Sequence, residues 1–373
     1  MRTTSFTAAV YLACLSICAT SSAQSFAGLG DLAGGSFESF AGNLSSDGSF
    51  VTGVSTSTVG GEAFLWTQGT GMVGLGMPSG SASSEGTAVS DDGGTVAGSH
   101  MPDVPFANPR AMQWTSNSAA DFDPFPVGAL GSSANDTSAN GAVIVGSYIV
   151  ELVGTMAYHW KNNVLTTIDG GGSTGLSANG EVVVGVLGDV GSSTEAFRWT
   201  AGGGVVGLGE LPGGLTNSSA LGVSADGQVV VGDSDSTLGL QAFRWTEATN
   251  MVGLGFLTGG SFSSATDTTA DGSIVVGIAS MGADSDPFIW DDSNGIRNLV
   301  DVLTNDFGLG IALTGWDLIE ATAISDDGRV IIGNGINPDG NFEGWIARIP
   351  EPGTALLGVL ASLGLQFARR RCS

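Results

Sequence analysis

Seven copies of one short motif set run between residues 26 and 347, and a period of about 45 residues limits the folds open to such a chain. The first motif is a small residue, Asp or Asn, Gly, one variable residue, an apolar-rich triplet and Gly, as in Ala225-Asp226-Gly227-Gln228-Val229-Val230-Val231-Gly232. Its turn glycine recurs at Gly48, Gly93, Gly141, Gly180, Gly272 and Gly328. The second motif is Ala-aromatic-x-Trp-Thr, as in Ala242-Phe243-Arg244-Trp245-Thr246. Its tryptophan recurs at Trp66, Trp114, Trp160, Trp199, Trp245, Trp290 and Trp345, at gaps of 48, 46, 39, 46, 45 and 55 residues. The third is Val-Gly-Leu-Gly, at Val206–Gly209 and Val252–Gly255, with degenerate copies near Ile168 and Leu299.

Asp-Gly or Asn-Gly between apolar runs predicts a tight hairpin, because Gly tolerates positive φ. Val-rich triplets such as Val182–Val184 predict buried strands. Phe243 and Trp245 lie two apart and share a strand face, leaving Arg244 on the other. That middle slot holds Leu65, Gln113, His159, Arg198, Arg244 and Ile289, a variety that suggests a less constrained face. One unit thus holds four strands: about Ala220–Val223, about Gln228–Val231, the Trp strand and the Gly-Leu-Gly strand. Four strands per unit predict a propeller blade. The chain opens on an orphan Gly-Leu-Gly strand at Phe26–Leu32, and the last unit ends at Ala347 without one. The orphan at the start fits the gap at the end. The expected fold is all-β: a seven-bladed propeller over 24–349, closed by its N-terminal strand.

The units resemble the HAF repeats of bacterial extracellular proteins, through Gly207–Gly214, Ser224–Gly227 and Ala196–Trp199, over nearly all of 26–347. That resemblance implies an extracellular repeat protein, without an established enzymatic activity.

The ends read as export signals. Met1-Arg2, an apolar run over Phe6–Ala19 and Ser21-Ser22-Ala23 have the order of a secretory signal peptide, residues 1–23, with cleavage between Ala23 and Gln24. Lipidation at Cys14 or Cys18 is the competing route, but neither follows a well-formed small-residue pattern. At the other end, Pro350-Glu351-Pro352, an apolar run over Gly353–Ala368 and Arg369-Arg370-Arg371 resemble the PEP-CTERM sorting signal. Gly353, where Ser or Ala is common, and the trailing Cys372-Ser373 depart from that pattern without removing a part of it. The resemblance implies processing by an exosortase-type membrane enzyme and an association with exopolysaccharide. The apolar run predicts a C-terminal hydrophobic helix that enters the membrane before processing. At about 24 Å it is shorter than the ~30 Å hydrocarbon core, and an ordinary short membrane anchor is the alternative.

Residues 24–349 carry seven Lys/Arg against 35 Asp/Glu, a net of −28, which repels nucleic acids and anionic lipid headgroups. Cys14, Cys18 and Cys372 all lie outside that span, so no intrachain disulfide framework forms there. No catalytic constellation emerges. His100 and His159 fall in unrelated settings; the first reads as a solvated loop residue and the second as a surface residue. Asp47, Asp92, Asp226, Asp271 and Asp327 belong to turns, which accounts for them without catalysis. Asp233-Ser234-Asp235 and Asp284-Ser285-Asp286 resemble fragments of Ca²⁺ loops, and neither completes one; no cofactor is expected, with Ca²⁺ the one cation worth testing. A segment from Val300 to Glu320 lengthens the last interval, and Leu299, Val302, Leu303, Phe307 and Leu309 predict a short amphipathic helix packed over one rim.

The functional expectation is an exported binding or scaffold protein whose partners are exopolysaccharide or surface proteins. The alternative is an extracellular carbohydrate-active hydrolase or lyase using acidic residues on one propeller face. A purely structural surface protein is the third reading.

Overall fold

The apolar triplet of each repeat feeds two cores at once. In the computed structural model, Val183 packs with Val143, Val145 and Phe197, whereas Val182 and Val184 pack with Val230 and Phe243. Alternation along one strand therefore joins each blade to both neighbours. Fully burying a valine is worth about 1.5–3 kcal/mol, so the interblade cores are a main source of cohesion. The structure describes residues 24–115, 118–122, 124–168, 170–188, 193–214, 217–281 and 284–350.

Seven four-stranded antiparallel sheets form. From innermost to outermost strand, blade 1 is Gly34–Leu44, Phe50–Ser57, Gly60–Thr67 and Gly71–Gly74. Blade 2 is Ser81–Val89, Thr95–Pro102, Arg110–Thr115 and Ser118–Asp121, and blade 3 is Ala129–Thr137, Val143–Val150, Gly154–Lys161 and Val164–Ile168. Blade 4 is Gly171–Leu176, Val182–Leu187, Glu195–Thr200 and Gly204–Gly207, and blade 5 is Ser218–Val223, Val229–Ser236, Gly239–Thr246 and Asn250–Gly255. Blade 6 is Ser263–Thr268, Ile274–Met281, Asp284–Asp291 and Gly295–Asn298. Blade 7 is Asp317–Ile324, Val330–Ile336 and Phe342–Arg348, completed by Ser25–Gly28 from the start of the chain.

The predicted closure is present. Ser25 pairs with Arg348 and Gly28 with Trp345. Phe26 drives it home, edge-on to Trp316 at 5.2 Å and tilted against Trp345 at 5.9 Å.

Because the strands alternate in direction, the loops sort to two ends. The Asx-Gly hairpins and the turns before each fourth strand share one, the turn end. The hairpins between second and third strands, and the connections to the next blade, share the other, the tip end.

The turn glycines all have positive φ, from 65° at Gly93 to 76° at Gly180. In every turn the Ser or Thr hydroxyl donates to the Asx side chain, as Ser224 does to Asp226 at 2.8 Å, and accepts from the amide five residues on, as from Val229 at 2.9 Å. Asp47, Asp92, Asp226, Asp271 and Asp327 are thus turn residues, as expected.

The inserted segment forms one short helix, α1 (Leu299–Asn305), whose N-cap Asn298 accepts from the amides of Val300 and Asp301. Leu299, Val302 and Leu303 are buried in a core shared by blades 6 and 7, the expected packing role.

Three readings need correction. Trp345 does not occupy the repeat's tryptophan slot. It pairs with Gly333 as Phe243 pairs with Gly232, so it fills the slot of the first aromatic, and Ala347 takes the tryptophan slot. His159 is buried, not on the surface: its Nε2 meets Gly180 O at 2.9 Å and its ring lies against Trp199. His100 is buried within a strand, with Nδ1 at 2.7 Å from Ser81 Oγ, instead of solvated in a loop.

The proposed signal peptide with Ala23, the rest of the tripartite tail at Glu351, Pro352, Arg369, Arg370 and Arg371, and the hydrophobic helix lie outside the described residues. Gln24 and Pro350 are described. The Ser25–Arg348 pairing places the two ends of the described residues together at the turn end.

Candidate functional site

The seven innermost strands line an axial channel of about 280 Å³ that reaches the turn end. Each carries a β-bulge at the same level, for instance between Ala134 and Asp136 and between Ala265 and Asp267. A bulge re-aims side chains, and here it sets two rings of residues, each partly polar, around the channel.

The upper ring holds the bulged residues. Thr87, Thr174 and Thr266 donate through Oγ1 to the carbonyl of the next blade, at Ala134 (2.7 Å), Ala220 (2.7 Å) and Ala321 (2.9 Å). Asn135 does the same to Ser173 O at 2.7 Å. Thr322 breaks the series. Its buried Oγ1 has no protein partner among the described residues, and the corresponding carbonyl, Ala41 O, takes Asn334 Nδ2 at 3.2 Å.

The next ring holds Asn43, Ala88, Asp136, Gly175, Gly222, Asp267 and Ala323, each following a bulge. Asp136 accepts from its neighbour Thr137 N and from Leu176 N of blade 4, both at 2.7 Å. Asp267 accepts from Thr268 N at 2.7 Å and from Ile324 N of blade 7 at 2.9 Å. Burial pushes both carboxyls up to about 7, against the pull of those amides. The charge of Asp267 adds to the rise at Asp136, and that of Asp326 to the rise at Asp267.

At the mouth stand Ser46, Asp91 and Asp326. Burial raises the Asp326 carboxyl, with smaller contributions from Asp91 and Asp327.

Chemically, this is a narrow polar channel with two carboxyls that change charge near neutrality. Groups with such values are suited to proton transfer and to pH-dependent binding. Among the described residues no three His, Cys, Asp or Glu side chains come together to hold a metal ion. Of the residues that resemble Ca²⁺-loop fragments, Asp233 accepts from Ser264 Oγ at 2.6 Å and Asp286 from Asn298 Nδ2 at 2.9 Å.

Sequence reasoning missed Asp136 and Asp267. A signal existed: the slot two places before the turn Ser or Thr is Ala or Gly in four repeats and Asn43, Asp136 or Asp267 in the other three. It also misjudged the middle slot of the third strand, which faces the next blade. Arg198 Nε donates to Gly227 O at 3.0 Å and Arg244 Nε to Gly272 O at 2.8 Å, the contact that His159 makes to Gly180.

The chain is therefore a closed seven-bladed β-propeller with a polar axial channel. No family model and no curated protein matches it. Solved structures share the architecture. An oligogalacturonate lyase from Vibrio parahaemolyticus aligns over 88% of this chain and 98% of its own, with a TM-score of 0.55 at 11% identity. The propeller domain of the trilobed protease from Pyrococcus furiosus, described as having an open velcro topology, aligns over 83% of this chain and 95% of its own, with a TM-score of 0.51 at 10% identity. TolB from Acinetobacter baumannii aligns over 81% of each chain at 13% identity, with a TM-score of only 0.42. The first two likenesses, at identities this low, establish a common fold and nothing of activity, and the third carries no weight.

Proposed function

We propose that the protein is an exported β-propeller that acts as a binding or scaffold module at the cell surface or in an exopolysaccharide matrix, sorted through its C-terminal tail by an exosortase-type enzyme. The observation that carries this reading is the Ser25–Arg348 pairing. It sets Ser25 and Arg348 side by side at the turn end, and a tether leaving from there would leave the whole tip end free for a partner. Mass spectrometry of the protein from its own cells tests the sorting. Cuts after Ala23 and near Pro350-Glu351-Pro352 are expected; intact termini overturn it. Glycan arrays and pull-downs with residues 24–349 test the binding, and blank results against both polysaccharide and protein overturn that part.

A second reading, a carbohydrate-active hydrolase or lyase, is favoured by one observation: two carboxyls pushed up to about 7 inside the channel. Incubation with matrix polysaccharide, with and without Ca²⁺, separates the two. Release of sugar fragments that is lost in Asp136→Asn and Asp267→Asn supports the enzyme.

A further inference from the structure

The two ends of the propeller differ in kind. Few large apolar side chains are exposed at the turn end among the described residues, Val164 beside the Asn162-Asn163 turn being the most open. The tip-end loops expose Val59, Val104, Phe106, Val127, Leu152 and Leu238, with Phe106 and Leu152 as open as side chains in an extended peptide, at 104% and 102%. A mixed surface needs no explanation for scattered single residues such as Val59, Leu238 and Ile311, but Val104, Phe106, Val127 and Leu152 gather on blades 2 and 3. There the loop bearing Phe106 meets the start of blade 3, through Asn108 Nδ2 to Leu130 O at 3.3 Å and Ser132 N to Pro109 O at 2.9 Å. Ala129 in turn pairs with Val150, just before Leu152 and Val153. The patch is continuous across two blades.

Backbone conformation singles out the same two residues. Among the described residues five non-glycine residues have positive φ; three are asparagines, which tolerate it. The other two are Phe106 at 60° and Leu152 at 63°. A bulky apolar residue in that region costs of order 1–3 kcal/mol, and such strain gathers at ligand-binding features. Neither residue gains burial in return for it.

Charge says what could cover the patch. Asp103 and Glu151 flank it, with Arg110 nearby. The other Lys and Arg side chains of the described residues are engaged elsewhere: Lys161 with Glu181, Arg297 with Asp291, Arg329 with Asp327, and Arg198, Arg244 and Arg348 on turn-glycine carbonyls. On a chain of net charge −25, a second copy is repelled, and an anionic lipid surface finds little to hold it.

We propose that the tip face of blades 2 and 3, centred on Phe106 and Leu152, docks a cationic amphipathic peptide segment of a partner protein. Apolar side chains would seat on the two strained residues while basic ones meet Asp103 and Glu151. The inference rests on the reading of the protein as a binding module, and it names the surface and the chemistry of the partner.

The test uses the full chain and a fluorescent amphipathic leucine–lysine peptide, with a leucine–glutamate peptide of the same pattern as control. Binding of the first is expected to weaken at least about tenfold in the double variant F106S/L152S and as salt rises from about 0.05 M to about 0.5 M. It is expected to be unchanged in Val252→Ser, at an exposed outer strand of blade 5. Equal binding by the double variant, or equally tight binding of the leucine–glutamate peptide, overturns the proposal. So does a dimer, or binding to phosphatidylcholine vesicles, that disappears in the double variant. The parent chain on the glycan array keeps the two readings apart: glycan binding by a parent chain that fails to bind the leucine–lysine peptide sinks this surface and leaves the binding module standing.

Discussion

The carboxylate of Asp91 accepts a hydrogen bond from the backbone amide of Ser46 at 3.0 Å, and so closes a ring of seven hydrogen bonds around the channel mouth. The other six are backbone to backbone, amide to carbonyl: Asp91 to Ala139, Ala139 to Ala178, Ala178 to Ala225, Ala225 to Ala270, Ala270 to Asp326 and Asp326 to Ser46. Each residue is the second of a Ser/Thr-x-Asx-Gly turn, one per blade. The side chain supplies the single link that the backbone does not make. Asp91→Ala frees the Ser46 amide at an exposed site, so global stability should fall by only about 0.5 kcal/mol, whereas hydrogen exchange at Ser46 should speed up. Asp91→Asn keeps an acceptor and should keep the protection. Unchanged exchange in Asp91→Ala removes the ring's seventh member.

The glycine that ends each apolar triplet reports a second device. A Cβ on Gly232 would overlap the carbonyl oxygen of Ser219 across the ladder, and the same clash recurs at Gly53, Gly98, Gly146, Gly185, Gly277 and Gly333. On Gly185 and Gly277 it would also press on the first aromatic of the third strand, Phe197 or Phe288, at 2.8 Å. The bulge on the inner strand bends it onto the second strand, and only hydrogen fits beneath. Gly232→Ala should therefore cost about 2–4 kcal/mol, read as a lower urea midpoint. Gly202→Ala, where nothing lies near, is the matched control. Equal midpoints for the two would refute the steric account.

Much of this architecture was legible because it is local and repeated. Asx-Gly turns, valine triplets and the orphan strand each obey short-range rules, and seven copies average out single departures. What escaped depends on neighbours in space. Trp345 was legible as a tryptophan but not as the occupant of a phenylalanine slot, since only its pairing with Gly333 fixes its register. Arg198, Arg244 and His159 looked like free surface choices, because the turn carbonyl each one meets lies 21 to 29 residues away on the next blade. Asp136 and Asp267 resembled ordinary polar residues beside a turn until the bulge aimed them inward.

Those two aspartates make stability depend on pH in an uncommon direction. Their carboxyls sit at about 7 in the folded chain, against an ordinary 3.8. Between those values the folded state keeps protons that the unfolded state releases. Stability therefore falls as pH rises through that window, by up to about 1.4 kcal/mol per pH unit for each group. The turn carboxylates act oppositely. Hydrogen bonds from Ser90 and Ser273 hold Asp92 and Asp271 below the ordinary value, so their contribution is present above it and lost as pH falls through their folded values. The urea midpoint should peak near the ordinary carboxylate range, decline as pH rises to about 7 and level off above it. Asn43, whose Oδ1 accepts from Leu44 N at 2.7 Å, shows that asparagine fits the slot. Asp136→Asn combined with Asp267→Asn should flatten the decline, after an initial loss of about 1 kcal/mol for each amide left with a poorer acceptor. A double variant that declines in parallel with the parent would mean that these groups do not titrate in the window.

Closure by a four-residue strand concentrates much of the ring's integrity on Phe26. Ser25–Gly28 is short, and its hydrogen bonds alone are a modest tie, but Phe26 is buried between Trp316 and Trp345 in the core under α1. Phe26→Ala should cost about 3–5 kcal/mol, the loss expected for a large aromatic removed from a packed core. Removing residues 24–28 goes further, because it leaves the edge of Phe342–Arg348 unpaired and open to another chain. The truncated protein should unfold at lower urea and associate, seen as concentration-dependent light scattering. Adding a peptide of residues 24–32 should suppress the scattering by taking up the vacant edge. The same peptide with Phe26→Asp should fail, since it offers the hydrogen bonds without the side chain that anchors them. If both peptides work equally well, backbone pairing is what holds the ring closed and the aromatic seat is incidental.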